Sequence, residues 1–224
     1  MTQASAALAK RVACEALGTG LLVAAVVGSG IMAERLAGGN VALALLANTL
    51  ATGAALLALI LTFAPISGAH LNPVVSLAMA IRRRMPWPEL PIYIAAQLAG
   101  GLLGTVVAHV MFGHPWYSPS PHQRSGFAQL ASESVAAFGL LCVIWGCMKV
   151  RSALAIPVAV ASYIVAAYWF TASTSFANPA VTVARSITDT FTGIRPIDAP
   201  GFVAAQILGA SLATWLFAWL DESG

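Results

Sequence analysis

Two asparagine-proline pairs, each inside a short apolar stretch, constrain this chain more than any other feature. Asn72-Pro73-Val74 and Asn178-Pro179-Ala180 are separated by 106 residues, close to half of the 224-residue chain. Proline is favoured in the first turn of a helix, where its missing N–H would have no partner, and asparagine is a strong N-cap. Each pair therefore predicts the start of a short helix. Two such starts in corresponding halves indicate broken helices that meet inside a membrane protein.

The composition agrees with a membrane setting. Hydrophobic residues make up 59% of the chain, charged residues only 8%, and the mean hydropathy is +0.83. A soluble domain carries about a quarter charged residues. The basic residues are dispersed along the chain, so the net charge of +3 gives no support for nucleic-acid binding. Residues 1–224 are expected to form a single transmembrane domain in contact with the lipid bilayer.

Eight apolar segments divide the chain. A membrane-spanning helix needs about 20 residues, and shorter apolar segments are typical of re-entrant ones. The long segments are 12–33, 41–62, 89–111, 129–149, 152–172 and 200–220, and the short ones are 71–82 and 178–188. The order long, long, short, long occurs twice, which predicts an all-α membrane protein of six spans and two re-entrant half-helices. The internal repeats cover about 12–111 and 129–220, and three spans per repeat make the second one inverted.

The distribution of positive charge predicts the orientation. If the N-terminus is cytoplasmic, seven of the eleven Lys and Arg residues fall on the cytoplasmic side. Cytoplasmic loops carry the excess of Lys and Arg in membrane proteins. Both termini are therefore expected in the cytoplasm.

The residues around the two pairs resemble the signature boxes of the aquaporin, or major intrinsic protein, family. The first box is Ser67-Gly68-Ala69-His70-Leu71-Asn72-Pro73-Val74 and the second is Phe176-Ala177-Asn178-Pro179-Ala180. Residues 178–185 further resemble a bacterial branch associated with arsenic-resistance operons. The resemblance implies a passive channel for small neutral solutes, not an enzyme. It also implies a homotetramer in the bacterial inner membrane, without a cofactor or a metal.

Physical reasoning about the two half-helices indicates a path for neutral molecules. Each helix N-terminus carries roughly half a positive charge, so two that meet at the midplane repel cations. The amide groups of Asn72 and Asn178 are expected to donate to a passing solute. Carbonyl groups are expected to accept from it, as in other selective pores. The carbonyl groups belong to Gly68, Ala69 and His70 in the first half and to Ser173, Thr174 and Ser175 in the second.

Two glutamates lie inside predicted spans, and an ionisable group there is a functional candidate. Glu15 and Glu133 occupy corresponding positions of the two repeats, as do Gln97 and Gln206. The glutamates could form a proton relay, but the resemblance implies that each accepts hydrogen bonds from loop backbone and holds the carbonyl groups in place. The glutamines either share this scaffolding role or form helix–helix contacts.

The constriction departs from the family pattern. Most members have arginine directly after the second box, and this chain has Val181. Counting from the two asparagines places Thr52, Ala166 and Ser175 at the other three positions. None of the four is aromatic or charged, which predicts a wide, weakly polar constriction. Water, glycerol, urea and undissociated metalloid hydroxides such as arsenous acid are the candidate solutes.

Arg185 lies one helical turn after Val181, and residues four apart share a helix face. It either lines the outer mouth and restores part of the cation barrier or pairs with Asp189, which is also four residues away.

The histidines have competing interpretations. The side chain of His70 is either fixed by local hydrogen bonds or acts as a pH gate, since histidine titrates near neutrality. His109, His114 and His122 match no metal-site spacing and are expected to be solvated loop residues.

A secondary transporter that uses the same broken-helix site is the alternative function. Such a protein usually needs a site for a coupling ion, and Glu15 and Glu133 are the only intramembrane carboxylates available for one.

Overall fold

A computed structural model describes residues 3–222, and within them all regular structure is helical. The helices are α1 (Gln3–Leu36), α2 (Val41–Ser67), α3 (Pro73–Ile81), α4 (Leu90–Phe112), α5 (Phe127–Cys147), α6 (Ala155–Phe170), α7 (Pro179–Arg185) and α8 (Ala199–Glu222), with a 3-10 turn at Trp87–Glu89. The all-α prediction is confirmed, and both short helices begin at the proline of an Asn-Pro pair.

Five helices are long and apolar enough to cross a membrane, namely α1, α2, α4, α5 and α8. The fifth predicted span, 152–172, is shorter than expected, because α6 has 16 residues. At 1.5 Å per residue it is about 24 Å long, less than the roughly 30 Å hydrocarbon core. The helix ends at Phe170, the backbone of Thr171 is extended, and the chain continues without helix to Asn178. This non-helical segment forms the second re-entrant loop.

Glycines allow equivalent helices of the two halves to pack closely. The helix α1 lies against α4, and α5 lies against α8. A Cβ at Gly100 would overlap the carbonyl oxygen of Ala16, and one at Gly209 would overlap that of Ser134. Small residues that let helix backbones approach are typical of membrane interfaces. The two close contacts occupy corresponding positions, so the inverted repeat extends to backbone packing.

Ion pairs identify one face of the molecule. Arg11 makes two hydrogen bonds with Glu89, at 2.8 and 2.7 Å. Asp221 accepts from Arg82 at 2.7 Å and from Lys149 at 2.6 Å. The start of α1 and α4 and the end of α3, α5 and α8 therefore share what we call the N-terminal face. The α4–α5 connection lies at the opposite face.

Candidate pore

The two Asn-Pro boxes form matching helix starts. The Oδ1 atom of Asn72 accepts from the backbone N–H of Val74 at 3.0 Å, and that of Asn178 accepts from Ala180 at 2.9 Å. Both asparagines have extended backbone and are followed by proline in the first turn. The asparagine caps therefore have the geometry that the sequence pattern predicts.

The boxes are joined to each other across the centre of the molecule. The amide nitrogen of Asn72 donates to the carbonyl of Ala177, and that of Asn178 donates to the carbonyl of Leu71, both at 2.8 Å. The prediction of amide groups left wholly free for a solute is therefore wrong. Each amide donates one N–H to the opposing loop, and these two hydrogen bonds join the two helix starts. Among the described residues, neither amide nitrogen has a second acceptor.

Buried carboxylates hold both re-entrant loops. Glu15 accepts from the backbone N–H of His70 at 3.0 Å and of Leu71 at 2.7 Å. Glu133 accepts from Phe176 and Ala177, both at 2.9 Å. Charge-assisted hydrogen bonds to backbone are strong ones. This geometry is that of a scaffold, not of a proton relay.

The glutamines extend the same network. Gln97 donates to Glu15 at 2.8 Å and to Ser76 at 3.0 Å. Gln206 donates to Glu133 at 2.6 Å and to Thr182 at 2.8 Å. Each glutamine therefore links the carboxylate of its half to the half-helix, which places it in the scaffold.

The loops need this support because their backbone is strained. Ala69 and Leu71 have φ of 46° and 48°, and Ser175 and Ala177 have φ of 49° and 48°. Left-handed backbone at a residue other than glycine costs about 1–3 kcal/mol and persists where the surroundings enforce it. The carboxylate bonds to residues 70, 71, 176 and 177 supply that enforcement.

A cavity of about 370 Å³ passes between the boxes. It extends from Arg84, near the N-terminal face, to Arg185, near the opposite face. Its apolar lining comes mainly from α1, α2, α3, α5 and α6 and includes Leu22, Val26, Leu56, Ile60, Val75, Met79, Leu140, Ile144, Met148, Ile156, Val160 and Ile164. Its polar lining includes both box asparagines and the loop residues beside them. The lining of the cavity therefore combines apolar side chains with polar groups of the two boxes.

Three of the four predicted constriction residues line this cavity together, namely Thr52, Ser175 and Val181. The placement of the fourth, Ala166, is wrong, because its side chain is on the exposed side of α6. The α6 residues that line the cavity are four apart and end at Tyr168. A helix turns by about 100° per residue, so a shift of two residues reverses the face.

Tyr168 places an aromatic group where the sequence analysis predicts none. Its hydroxyl is 3.3 Å from Oγ1 of Thr52, and it is buried. The spacing Ile156, Val160, Ile164, Tyr168 is a signal that could have identified this face of α6. Counting from the asparagines missed it because the helix length was not known.

Arg185 brings a charge to the same end of the cavity, as the first of its two sequence interpretations expects. The guanidinium is 2% exposed and lies 3.4 Å from the centroid of the Phe176 ring. Its Nε donates to the carbonyl of Thr192, and its Nη1 has no hydrogen-bond partner in the part of the chain that the structure describes. Among the described ion pairs none involves Asp189, which is exposed. The geometry favours the pore-lining interpretation over pairing.

The second set of carbonyl groups is displaced by two residues. Gly68, Ala69 and His70 line the cavity as expected. Ser173 and Thr174 are outside the lining set, and the Ser173 carbonyl accepts from Arg124 at 3.2 Å. Residues 175–177 take their place, because they occupy the positions that correspond to 69–71 relative to the asparagine.

The histidines have defined partners. Nδ1 of His70 is 3.0 Å from Oγ of Ser76, and its ring contacts Tyr93, which agrees with a locally fixed side chain. His109 is not a solvated loop residue. It is fully buried in α4, where its ring nitrogens contact the carbonyl of Pro115 at 2.6 Å and Oγ1 of Thr188 at 2.7 Å.

The class of protein follows from this arrangement. Membrane-spanning helices, two half-helices meeting at their N-termini and a cavity between them define an integral membrane channel. Residues 2–153 match the model of the family described as major intrinsic protein. The chain belongs to that family and is a channel, not an enzyme.

Individual relatives agree with this assignment. The chain is 55% identical over 213 residues to "Aquaglyceroporin AqpS" of Rhizobium meliloti (strain 1021), with 95% of this chain and 91% of the relative covered. It is 30% identical over 221 residues to "Aquaporin NIP1-3" of Oryza sativa subsp. japonica, with 95% and 74% covered. A solved aquaglyceroporin from Plasmodium falciparum superposes with a TM-score of 0.70 at 19% identity, over 94% and 95% of the two chains, which shows the shared fold. The predicted family is confirmed, and the relatives support a bacterial aquaglyceroporin branch, whereas the association with arsenic resistance stays a prediction.

Proposed function

We propose that this channel passes small uncharged solutes of the size of glycerol, urea and arsenous acid as well as water. The constriction in this proposal consists of Thr52, Tyr168, Ser175, Val181 and Arg185. The observation that carries the proposal is the cavity between the Asn-Pro boxes, whose lining combines apolar side chains with both asparagines and the loop residues beside them. The relative named as an aquaglyceroporin supports the solute class.

Hydrogen-bonding groups of the lining can replace the water around a neutral solute. Arg185 and Ser175 line the cavity, and the buried Nη1 of the former and Oγ of the latter have no hydrogen-bond partner within residues 3–222. Their hydrogen-bonding capacity is available to a hydroxyl-bearing solute. The apolar lining side chains contact the carbon atoms or other weakly hydrated surface of the solute. A solute with hydroxyl groups on one side therefore loses little on entry.

Cations meet a barrier along the whole path. The N-termini of α3 and α7 are positive. Arg84 and Arg185 add charge at the two ends of the cavity, and among the described lining residues there is no carboxylate. A cation would lose hydration beside apolar residues without an anionic partner, which is costly.

Val181 leaves space that an arginine would fill. It is the second residue of α7 after Pro179, next to the box, whereas Arg185 lies one turn further along the helix. Small side chains at positions 52, 175 and 181 favour solutes wider than water. Undissociated arsenous acid, with three hydroxyl groups and no charge at neutral pH, belongs to this class.

The location, orientation and assembly of the channel are part of the proposal. The N-terminal face carries Lys10, Arg11, the run Arg82–Arg84 and Lys149, which favours its placement in the cytoplasm of a bacterial inner membrane. Large apolar side chains such as Leu46 and Leu50 of α2 and Trp215 of α8 are exposed. They are available to lipid or to other copies in a homotetramer.

Purified protein in vesicles tests the proposal by stopped-flow light scattering. Water, glycerol, urea and arsenous acid at neutral pH should each enter faster than into empty vesicles. Val181→Arg should slow glycerol and arsenous acid much more than water, because the guanidinium would fill the constriction. Val181→Leu is the matched control and should change the ratio little. Equal solute rates in protein-containing and empty vesicles would contradict the proposal.

The secondary-transporter alternative gains no support from the site. Glu15 and Glu133 already accept from loop backbone and from glutamine, and neither is among the described residues that line the cavity.

A further inference from the structure

The α4–α5 connection, residues 113–126, contributes an arginine to the second re-entrant loop. Arg124 donates from Nη1 to the carbonyl of Ser173 at 3.2 Å and from Nε to the carbonyl of Gly193 at 2.8 Å. Its guanidinium therefore ties the re-entrant loop to the α7–α8 loop. Planar geometry with several fixed donors suits arginine to such a bridge, and lysine cannot reproduce it.

The backbone of Arg124 is anchored separately. Its N–H donates to Asp198 at 2.9 Å. Asp198 also accepts from Nε of Arg195 at 2.9 Å and from Nη2 at 3.0 Å. The hydrogen bonds from Arg195 hold the pKa of Asp198 below its usual range, so this anchor is charged at neutral pH. The Asp198 carboxylate is thus shared between Arg195 and the Arg124 backbone.

Arg124 and Arg185 both contact the ring of Phe176. The Cζ atom of Arg124 is 5.2 Å from the ring centroid, and that of Arg185 is 3.4 Å from it. Phe202 packs against the same ring edge-on, with centroids 5.1 Å apart. Phe176 is buried, lines the cavity and has its backbone N–H held by Glu133. The position of the pore-lining guanidinium is therefore coupled, through one ring, to an arginine outside the lining set.

We propose that Arg124 is a positioning residue for selectivity, an inference that rests on the proposed function. It fixes the Ser173–Phe176 segment and thereby the ring on which the Arg185 guanidinium lies. The α4–α5 connection is then a part of the filter. Without Arg124 the ring and the guanidinium gain freedom, the constriction widens and the cation barrier is less well placed.

The test compares Arg124→Gln with Arg195→Gln in vesicles. The two arginines share Asp198, but within the described contacts only Arg124 reaches Phe176. The readouts are the ribitol-to-glycerol permeability ratio and the potassium leak, neither of which a loss of folded protein alone would raise. Arg124→Gln should raise both several-fold while water permeability per folded channel is kept. Arg195→Gln should behave as the parent.

Two further variants make the result decisive. Arg124→Lys should resemble the glutamine variant, because an ammonium group cannot bridge both carbonyls, and it decides the question if the glutamine variant does not fold. In a Phe176→Leu background Arg124→Gln should add little, since the two act through one ring. A parent-like ratio and leak in Arg124→Lys, or fully additive effects with Phe176→Leu, would overturn the inference. A parent protein without glycerol flux would instead contradict the proposed function itself.

Discussion

Arg185 shows how a single position changes the filter. The sequence has valine directly after the second box and arginine four residues later. The later guanidinium is buried against Phe176, and its Nη1 has no partner among the described residues. A buried charge without an ion pair is costly to a protein. In the proposed function, the guanidinium offsets that cost by excluding cations from the path.

Replacement of Arg185 should therefore weaken cation exclusion. Arg185→Ala removes the charge and leaves the half-helix dipoles as the remaining barrier at this end. Potassium leak in vesicles should rise, while glycerol permeability is kept or increased. Arg35→Ala is the control, because Arg35 lies near the same face as Arg185 but is exposed and outside the cavity lining. It contacts Phe112 and His114. Leak equal to that of the parent would remove Arg185 from the barrier.

The two glutamates should be equivalent in effect. Glu133→Gln replaces one acceptor oxygen by an N–H₂ group that faces a backbone donor, and Glu15→Gln does the same in the other half. An unsatisfied buried donor costs about 1–3 kcal/mol. Both variants should unfold at lower temperature in detergent and pass less solute, whereas Glu34→Gln, at an exposed position, should not. A pronounced effect in one half alone would contradict the equivalence of the two loops.

At this scale the sequence is informative where the chemistry is local. Asparagine caps depend on neighbours a few residues away, so their role can be inferred locally. The pairing of the glutamates follows from the repeat, and their scaffold role follows from the family resemblance. The direction in which the side chain of residue 166 points depends on where α6 begins and ends. The residue of α6 that lines the cavity is Tyr168, two residues after the predicted position. Arg124 could not be inferred, because its partners Ser173 and Gly193 are distant in sequence.

Small residues determine how closely the helices pack. A Cβ at Gly104 would overlap the carbonyl oxygen of Gly20, so α1 and α4 touch along their backbones. Close helix approach at Gly100, Gly104 and Gly209 could be inferred from sequence, because small residues are typical of helix interfaces in membranes. The exact bounds could not, since α2 continues through Pro65 to Ser67 and ends at Gly68, which has a φ of 89°.

The close approach predicts a large effect from a small change. Gly104→Ala should lower the free energy of unfolding by about 1–3 kcal/mol, because the helices must separate to admit the methyl group. Gly146→Ala is the matched control, because a Cβ there comes no closer than 4.0 Å to Phe217. Thermal unfolding of both variants in the same detergent measures the difference. A Gly104→Ala protein as stable as Gly146→Ala would show that the α1–α4 contact can relax.

The whole molecule is an inverted repeat in which each half supplies the same parts. Each half has a carboxylate, a glutamine, a strained loop and a half-helix, and the two are joined by reciprocal asparagine bonds of 2.8 Å. This symmetry explains why the fold could be inferred from the segment order alone. The asymmetry lies at the end near Arg185. Counted from the two asparagines, Val181 corresponds to Val75, whereas Arg185 corresponds to Met79. Selectivity is therefore the property that the sequence pattern described least well.

The central claim is a passive path for neutral solutes, and the dependence of glycerol flux on concentration and ion gradients tests it most directly. Initial rates are measured in vesicles over a wide range of glycerol concentrations, with and without imposed sodium and proton gradients. We predict rates that rise in proportion to the glycerol gradient and do not respond to either ion gradient. Saturation at low glycerol concentration, or uptake that follows an ion gradient, would contradict the account.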